Sequence, residues 1–111
     1  MGIVTPFPTP SAPHQVGFDR RELGAILDLY GRMVAAGHWR DYAMDFTRDA
    51  AIFSAFRRTA ERPEIRIMKC PDLRLRQGMW ALVGEGGQTL KRGQLLANIL
   101  APVERRLIKA V

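Results

Sequence analysis

From Leu23 onward, apolar residues recur at helical spacing, with Leu23, Ile26, Leu27, Tyr30, Met33 and Val34 sharing one face. Arg21, Asp28 and Arg32 stand opposite, and Asp28 with Arg32 is spaced for an i,i+4 ion pair. Just upstream, Asp19 and Glu22 have the spacing of a capping box, in which each side chain bonds the other residue's backbone N–H. Phe18 and Leu23 occupy the positions of a hydrophobic staple around it. Gly37 supplies a stop, so the pattern predicts a helix over 20–36. Gly24 and Gly31 lie seven residues apart on one flank, where glycine costs helix stability. Another backbone is therefore expected to come close there, either within the fold or across a dimer contact.

The period then changes from helical to alternating. In 41–46, Tyr42, Met44 and Phe46 alternate with Asp41, Ala43 and Asp45, as in a strand wet on one face. Arg48-Asp49 reads as a turn, and 50–58 as a second strand with Phe53 on one side and Ile52 with Phe56 on the other. A third strand, 64–69, points Ile65 and Ile67 inward and Glu64, Arg66 and Met68 outward, before Pro71-Asp72 breaks it. The fourth, 79–83, is apolar on both sides, and Gly84-Glu85-Gly86-Gly87 turns the chain into Gln88–Lys91. A last helix over about 93–110 aligns Leu96, Ile99, Leu100, Val103 and Leu107, with Pro102 on its solvent side to bend it. The order α-β-β-β-β-α predicts an α+β fold, an antiparallel four-stranded sheet flanked by an N-terminal and a C-terminal helix. Two strands apolar on both faces need more cover than one helix layer. Either a helix covers each face, or a second copy of the chain does.

Residues 1–17 do not share these patterns. They hold four of the seven prolines and no Asp, Glu, Lys or Arg, a composition that favours an extended, solvated chain. They are expected to be a disordered leader, with Phe7 between prolines as the anchor if the leader docks. One domain, 18–111, remains.

Several separate pieces carry a resemblance. Phe18-Asp19-Arg20-Arg21-Glu22-Leu23 is followed by Leu29-Tyr30-Gly31-Arg32-Met33-Val34 and by Trp39-Arg40-Asp41-Tyr42. Further on come Phe53-Ser54-Ala55-Phe56-Arg57-Arg58, Arg76-Gln77-Gly78 and Leu90-Lys91-Arg92-Gly93. In that order they resemble a small bacterial family catalogued as a domain of unknown function. The likeness covers nearly everything from 18 to 107, leaves out the Pro-rich leader, and implies no catalytic residue, ligand or cofactor. Pro102 is where the final helix departs from it.

Composition narrows the class further. A chain of 111 residues that is 47% hydrophobic has room for one core and no need of disulfides or metals. The longest apolar stretch, Leu95 to Val103, is interrupted by Asn98 and Pro102 and falls short of a bilayer span. The first 17 residues lack the basic start and apolar centre of a signal peptide. A lone cysteine suits a reducing compartment, so a cytoplasmic protein is expected, with no membrane among its partners. The net charge is +6, with a pI near 10.4, and Arg supplies 14 of the 17 basic residues. Arginine forks suit phosphate and carboxylate groups.

Candidate chemistry is sparse. The soft metal ligands are Cys70, His14 and His38, in no ligand-spacing pattern, so neither a metal nor a cofactor is expected. A Cys70–His38 dyad is the one nucleophilic arrangement on offer, although a histidine after a helix end ordinarily meets exposed carbonyls. Asp41 and Asp45 read as a solvated strand face. The glycines of 84–87 lack the order of a phosphate-binding loop and suit a tight hairpin. The strongest feature is a basic run: Arg57, Arg58, Arg62, Arg66, Lys69, Arg74 and Arg76 fall within twenty residues. On an exposed sheet face, with Trp80 or Phe53 nearby, Arg57, Arg58 and Arg66 would suit a partner protein or a single-stranded nucleic acid. Cys70, between Lys69 and Arg74, reads first as a small, partly buried thiol with no redox role; the sharper alternative is a thiol whose pKa those cations lower, open to oxidative linkage with another chain. The reading is a non-enzymatic interaction module, homodimeric, that binds a protein partner. A sheet-face nucleic-acid binder comes next, and a small enzyme using Cys70 third.

Overall fold

The computed structural model describes residues 15–58 and 61–109. All but the last three residues of the expected leader lie outside the described residues. Helix α1 (Arg20–Ala35) begins on the capping box, with Asp19 accepting from the Glu22 N–H and Glu22 from the Asp19 N–H, both at 2.8 Å. It ends where Gly37 takes φ +84°, letting the Gly37 and His38 N–H groups reach back to the Val34 and Met33 carbonyls. Five strands follow: β1 (Asp41–Phe46), β2 (Ala51–Phe56), β3 (Ile65–Lys69), β4 (Trp80–Gly84) and β5 (Thr89–Gly93). A 3-10 turn over Pro71–Leu73 stands between β3 and β4, and helix α2 (Leu96–Lys109) closes the chain.

The sheet is an antiparallel meander in the order β1-β2-β3-β4-β5. It has five strands where the sequence pattern predicts four. The added strand, β5, carries Leu90 as its one large apolar residue and is mostly exposed. An edge strand is held by its ladder to β4, so it need not show the alternation that marks a buried one.

Both helices pack on the same face. The row Phe53, Ile67 and Leu82, in register across β2, β3 and β4, lies beneath Ile26, Leu29 and Met33 of α1 and Ile99, Leu100 and Val103 of α2 in one core cluster. Trp39 and Trp80 complete it, and Phe18 stacks on Trp80 with ring centroids 6.1 Å apart. Of the two alternatives for covering both faces, a helix on each is therefore not the one that forms. Among the described residues, no helix covers the second face, and none is long and apolar enough to cross a membrane.

Candidate functional site

Because side chains alternate along each strand, the bare face can be read directly from the register. One row across it runs Asp45, Ile52, Met68, Ala81, Arg92. The next runs Ala43, Ser54, Arg66, Val83, and Phe56 stands beside Asp41 at one corner. Ile52, Phe56 and Met68 are half-buried, while Ala81 and Val83 are buried among their longer neighbours. The face is thus apolar in the middle, acidic on β1, and basic on β3 and β5. Arg66 has no carboxylate within 4 Å among the described residues. The Arg92 guanidinium donates to the Gly78 carbonyl at 3.3 Å.

The basic run divides among several surroundings, so it is not one patch. Arg57 pairs with Glu85 at 2.9 Å, and Arg58 more loosely with Glu61 at 3.7 Å. Lys69 lies on the helix-covered side, 2.7 Å from Glu22 and 2.9 Å from the Gly17 carbonyl. Arg74 and Arg76 are exposed in the connection from the 3-10 turn to β4. Arg66 alone of the predicted set sits in the middle of the bare face. Trp80 and Phe53, expected beside it as stacking partners, are 2% and 0% exposed on the opposite side. Parity along β2 and β4 sends them into the core, leaving the half-buried Phe56 as the aromatic ring on this face.

The other predicted residues fall elsewhere. A methyl group added at Gly24 or Gly31 would meet nothing within 4 Å, so among the described residues no other backbone approaches them. Among the described residues, packing within the fold, one of the two uses expected for them, is therefore not seen. Cys70 has its thiol pKa raised, chiefly by burial and secondarily by Asp49 and Asp72, with Arg92 opposing. The alternative of a thiol pKa lowered by Lys69 and Arg74 fails: Lys69 faces the other side of the sheet in its pair with Glu22, and burial outweighs the one cation, Arg92, that acts on the thiol. Cys70 and His38 form no dyad, since His38 Nδ1 lies 3.5 Å from the Arg106 guanidinium instead. Among the described residues, no group of His, Cys, Asp and Glu is placed to hold a metal ion.

One polar cluster escapes the sequence reading. Glu64, expected to point outward to solvent, accepts from Trp39 Nε1 at 2.6 Å and from Arg106 Nη1 at 3.1 Å. His38 extends the cluster, and its buried Nε2 has no partner among the described residues. The cluster joins the α1–β1 loop, the start of β3 and α2. Those positions are 25 and 42 residues apart along the chain, so no local spacing foretells their meeting. Gly78 is a second such junction. Its φ is +104°, and a Cβ there would meet the Gly93 backbone at 2.8 Å, so the Arg76-Gln77-Gly78 and Leu90-Lys91-Arg92-Gly93 pieces abut.

These features define a two-layer α+β domain, a five-stranded antiparallel meander with both helices on one face. Within that class, the chain belongs to the family described as Protein of unknown function (DUF2794), which it matches over residues 16–100. The matched span stops within α2, before Pro102. No curated protein and no solved structure matches the chain.

Proposed function

We propose that this domain is a cytoplasmic, non-enzymatic interaction module that binds a protein partner on the bare face of its sheet. One observation carries the reading: both helices cover the same face, leaving Ile52, Phe56 and Met68 half-buried with no helix over them among the described residues. Such a surface, apolar at its centre and charged at its margins, has the make-up of a protein interface. Arg66 supplies an anchor of the kind enriched at such centres. A nucleic-acid partner is the second reading, favoured by the +6 charge and by Arg66 and Arg92 on one face. The burial of Trp80 and Phe53 counts against it, because base stacking then rests on Phe56.

The test is purification of the tagged protein from native cells, with and without nuclease, alongside Ile52→Glu and Arg66→Glu variants. The proposal expects a stoichiometric protein companion that survives nuclease and is lost from both variants. Recovery of nucleic-acid fragments instead, released by salt, favours the second reading. A companion retained by both variants removes the bare face as its binding surface.

A further inference from the structure

The sheet has two edges, and they are unlike. At β5 the ladder is interrupted by a register shift between Leu82 and Val83, and a bulge of this kind blunts an edge against further pairing. At β1 the register with β2 runs unbroken from Asp41 to Phe46. The helix-side row of β1 is also apolar and open: Tyr42, Met44 and Phe46 are 41%, 36% and 38% exposed. Their backbone groups face away from β2. The Ala55 carbonyl opposite Tyr42 is spent on the Glu64 N–H, and the Tyr42 N–H turns to its own Asp41 carboxylate at 2.8 Å.

We infer that β1 pairs antiparallel with β1 of a second copy of this chain, about a twofold axis at Met44, joining two sheets into one. The choice of occupant follows from the order of the side chains. With Met44 opposite its own copy, Tyr42 meets the copy's Phe46, so the apolar row continues across the axis. On the other face, Asp45 then meets Ala43. Shifting the register by one residue sets Tyr42 against Asp45 of the copy, an apolar residue against a charge. Shifting it by two sets Asp45 against Asp41 or against another Asp45, and directly opposed like charges destabilise a pair. The Met44-centred register avoids both faults. Each end of the paired edge then gathers Arg40 and Asp41 of one copy with Arg48 and Asp49 of the other, two charges of each sign. The outward N–H and C=O groups of Tyr42, Met44 and Phe46 supply about six backbone hydrogen bonds across the axis. The Asp41 carboxylate releases the Tyr42 N–H as Arg48 of the copy arrives beside it.

This inference is independent of what the bare face binds, although it would place two such faces side by side on one platform. The test uses the full chain with Cys70→Ser as background. Residues paired across an antiparallel twofold have Cα atoms about 5.5 Å apart, within reach of a disulfide. Met44→Cys is therefore expected to form a covalent dimer on mild oxidation, and Asp45→Cys, which has no copy of itself opposite, is not. Met44→Lys should raise the dimer dissociation constant in sedimentation by at least about tenfold, because like charges meet on the axis. Arg66→Glu, on the bare face two strands away from β1 and beside Ser54 and Val83, should leave dimerisation unchanged whatever it does to partner capture. A native chain that stays monomeric at millimolar concentration overturns the inference. So does a Met44→Cys cross-link that appears only after residues 1–14 are removed, which would make the chain's own leader the occupant. Equal cross-linking at positions 44 and 45 would overturn the register.

Discussion

Replacing Glu64 by Ala removes the one acceptor of a tryptophan indole that is itself 1% exposed, with Nε1 to Oε1 at 2.6 Å. The stranded N–H then carries its desolvation cost, about 1–3 kcal/mol for a buried unsatisfied donor. The Arg106 pair to the same oxygen, at 3.1 Å, is partly exposed, with side-chain exposures of 36% and 18%. Solvent screening holds its share to no more than about 1 kcal/mol. The middle of those ranges is about 2–3 kcal/mol, or a fall in Tm of about 10–20 °C in a domain of this size. Urea unfolding followed by circular dichroism reads the difference directly. The midpoint should move with an unchanged m-value, because the surface exposed on unfolding stays the same. Glu64→Gln retains an oxygen for the indole and loses only the ion pair, so it should cost about 1 kcal/mol or less. A Glu64→Ala protein within about 0.5 kcal/mol of the native chain would refute the reasoning, since that is the ordinary range of a surface substitution. Equal losses from Ala and Gln would also refute it, by showing that the charge and not the acceptor matters.

Other expectations follow from the same geometry. Asp19→Ala should cost about 0.5–2 kcal/mol in urea unfolding, the usual worth of an N-cap, because it opens the capping box at the start of α1. Gly24→Ala, with open space around the added methyl, should stabilise by about 0.5–1 kcal/mol. Gly78→Ala should destabilise by at least about 2 kcal/mol, because it meets both a positive φ and the Gly93 backbone. The Cys70 thiol, held above its ordinary pKa, should alkylate with iodoacetamide at pH 8 more slowly than a free thiol such as glutathione; a faster rate would contradict the burial. By linkage, that raised pKa contributes stability fully present below the unfolded thiol's pKa and lost as pH rises through the folded one. Cys70→Ser should therefore flatten the alkaline limb of the stability profile.

Most of α1 was legible because its signals are local. The capping box, the apolar stripe and Gly37 all act within a few residues, and the helix forms over Arg20–Ala35 as that pattern implies. The core rows of β2, β3 and β4 were legible for a related reason, since parity alone sends Phe53, Ile65 and Ile67 inward. What parity cannot say is which of two apolar faces a helix will take. Ile52 and Phe56 looked covered because they are apolar, yet α1 and α2 both lie on the Phe53 side. The basic run misleads in a different way. Sequence proximity placed Arg57, Lys69 and Arg66 together, whereas alternation and strand ends send each to different neighbours. The Glu64 cluster and the Gly78–Gly93 contact were illegible because they join positions brought together only by the meander and the return of α2.

The placement of the helices also accounts for the character of both exposed surfaces. Two helices of 16 and 14 residues, laid on one side of five strands, cover the middle of the sheet and leave β1 at the margin. Tyr30 reaches outward from α1 to Tyr42, with ring centroids 4.9 Å apart, and Phe18 reaches Phe46 at 6.0 Å. Met44 lies between these two contacts and is still 36% exposed. The apolar row on β1 is thus the continuation of the core beyond the limit of its helical cover, and the bare face is the reverse of the same sheet. A helix on the second face would bury Ile52 and Met68 but would still leave the β1 edge open, because edge pairing uses backbone groups that no face-packed helix can satisfy. The two surfaces therefore call for different kinds of partner: a strand for the edge, and a side-chain surface for the face. For the edge, the order of residues from Tyr42 to Phe46 already describes such a strand.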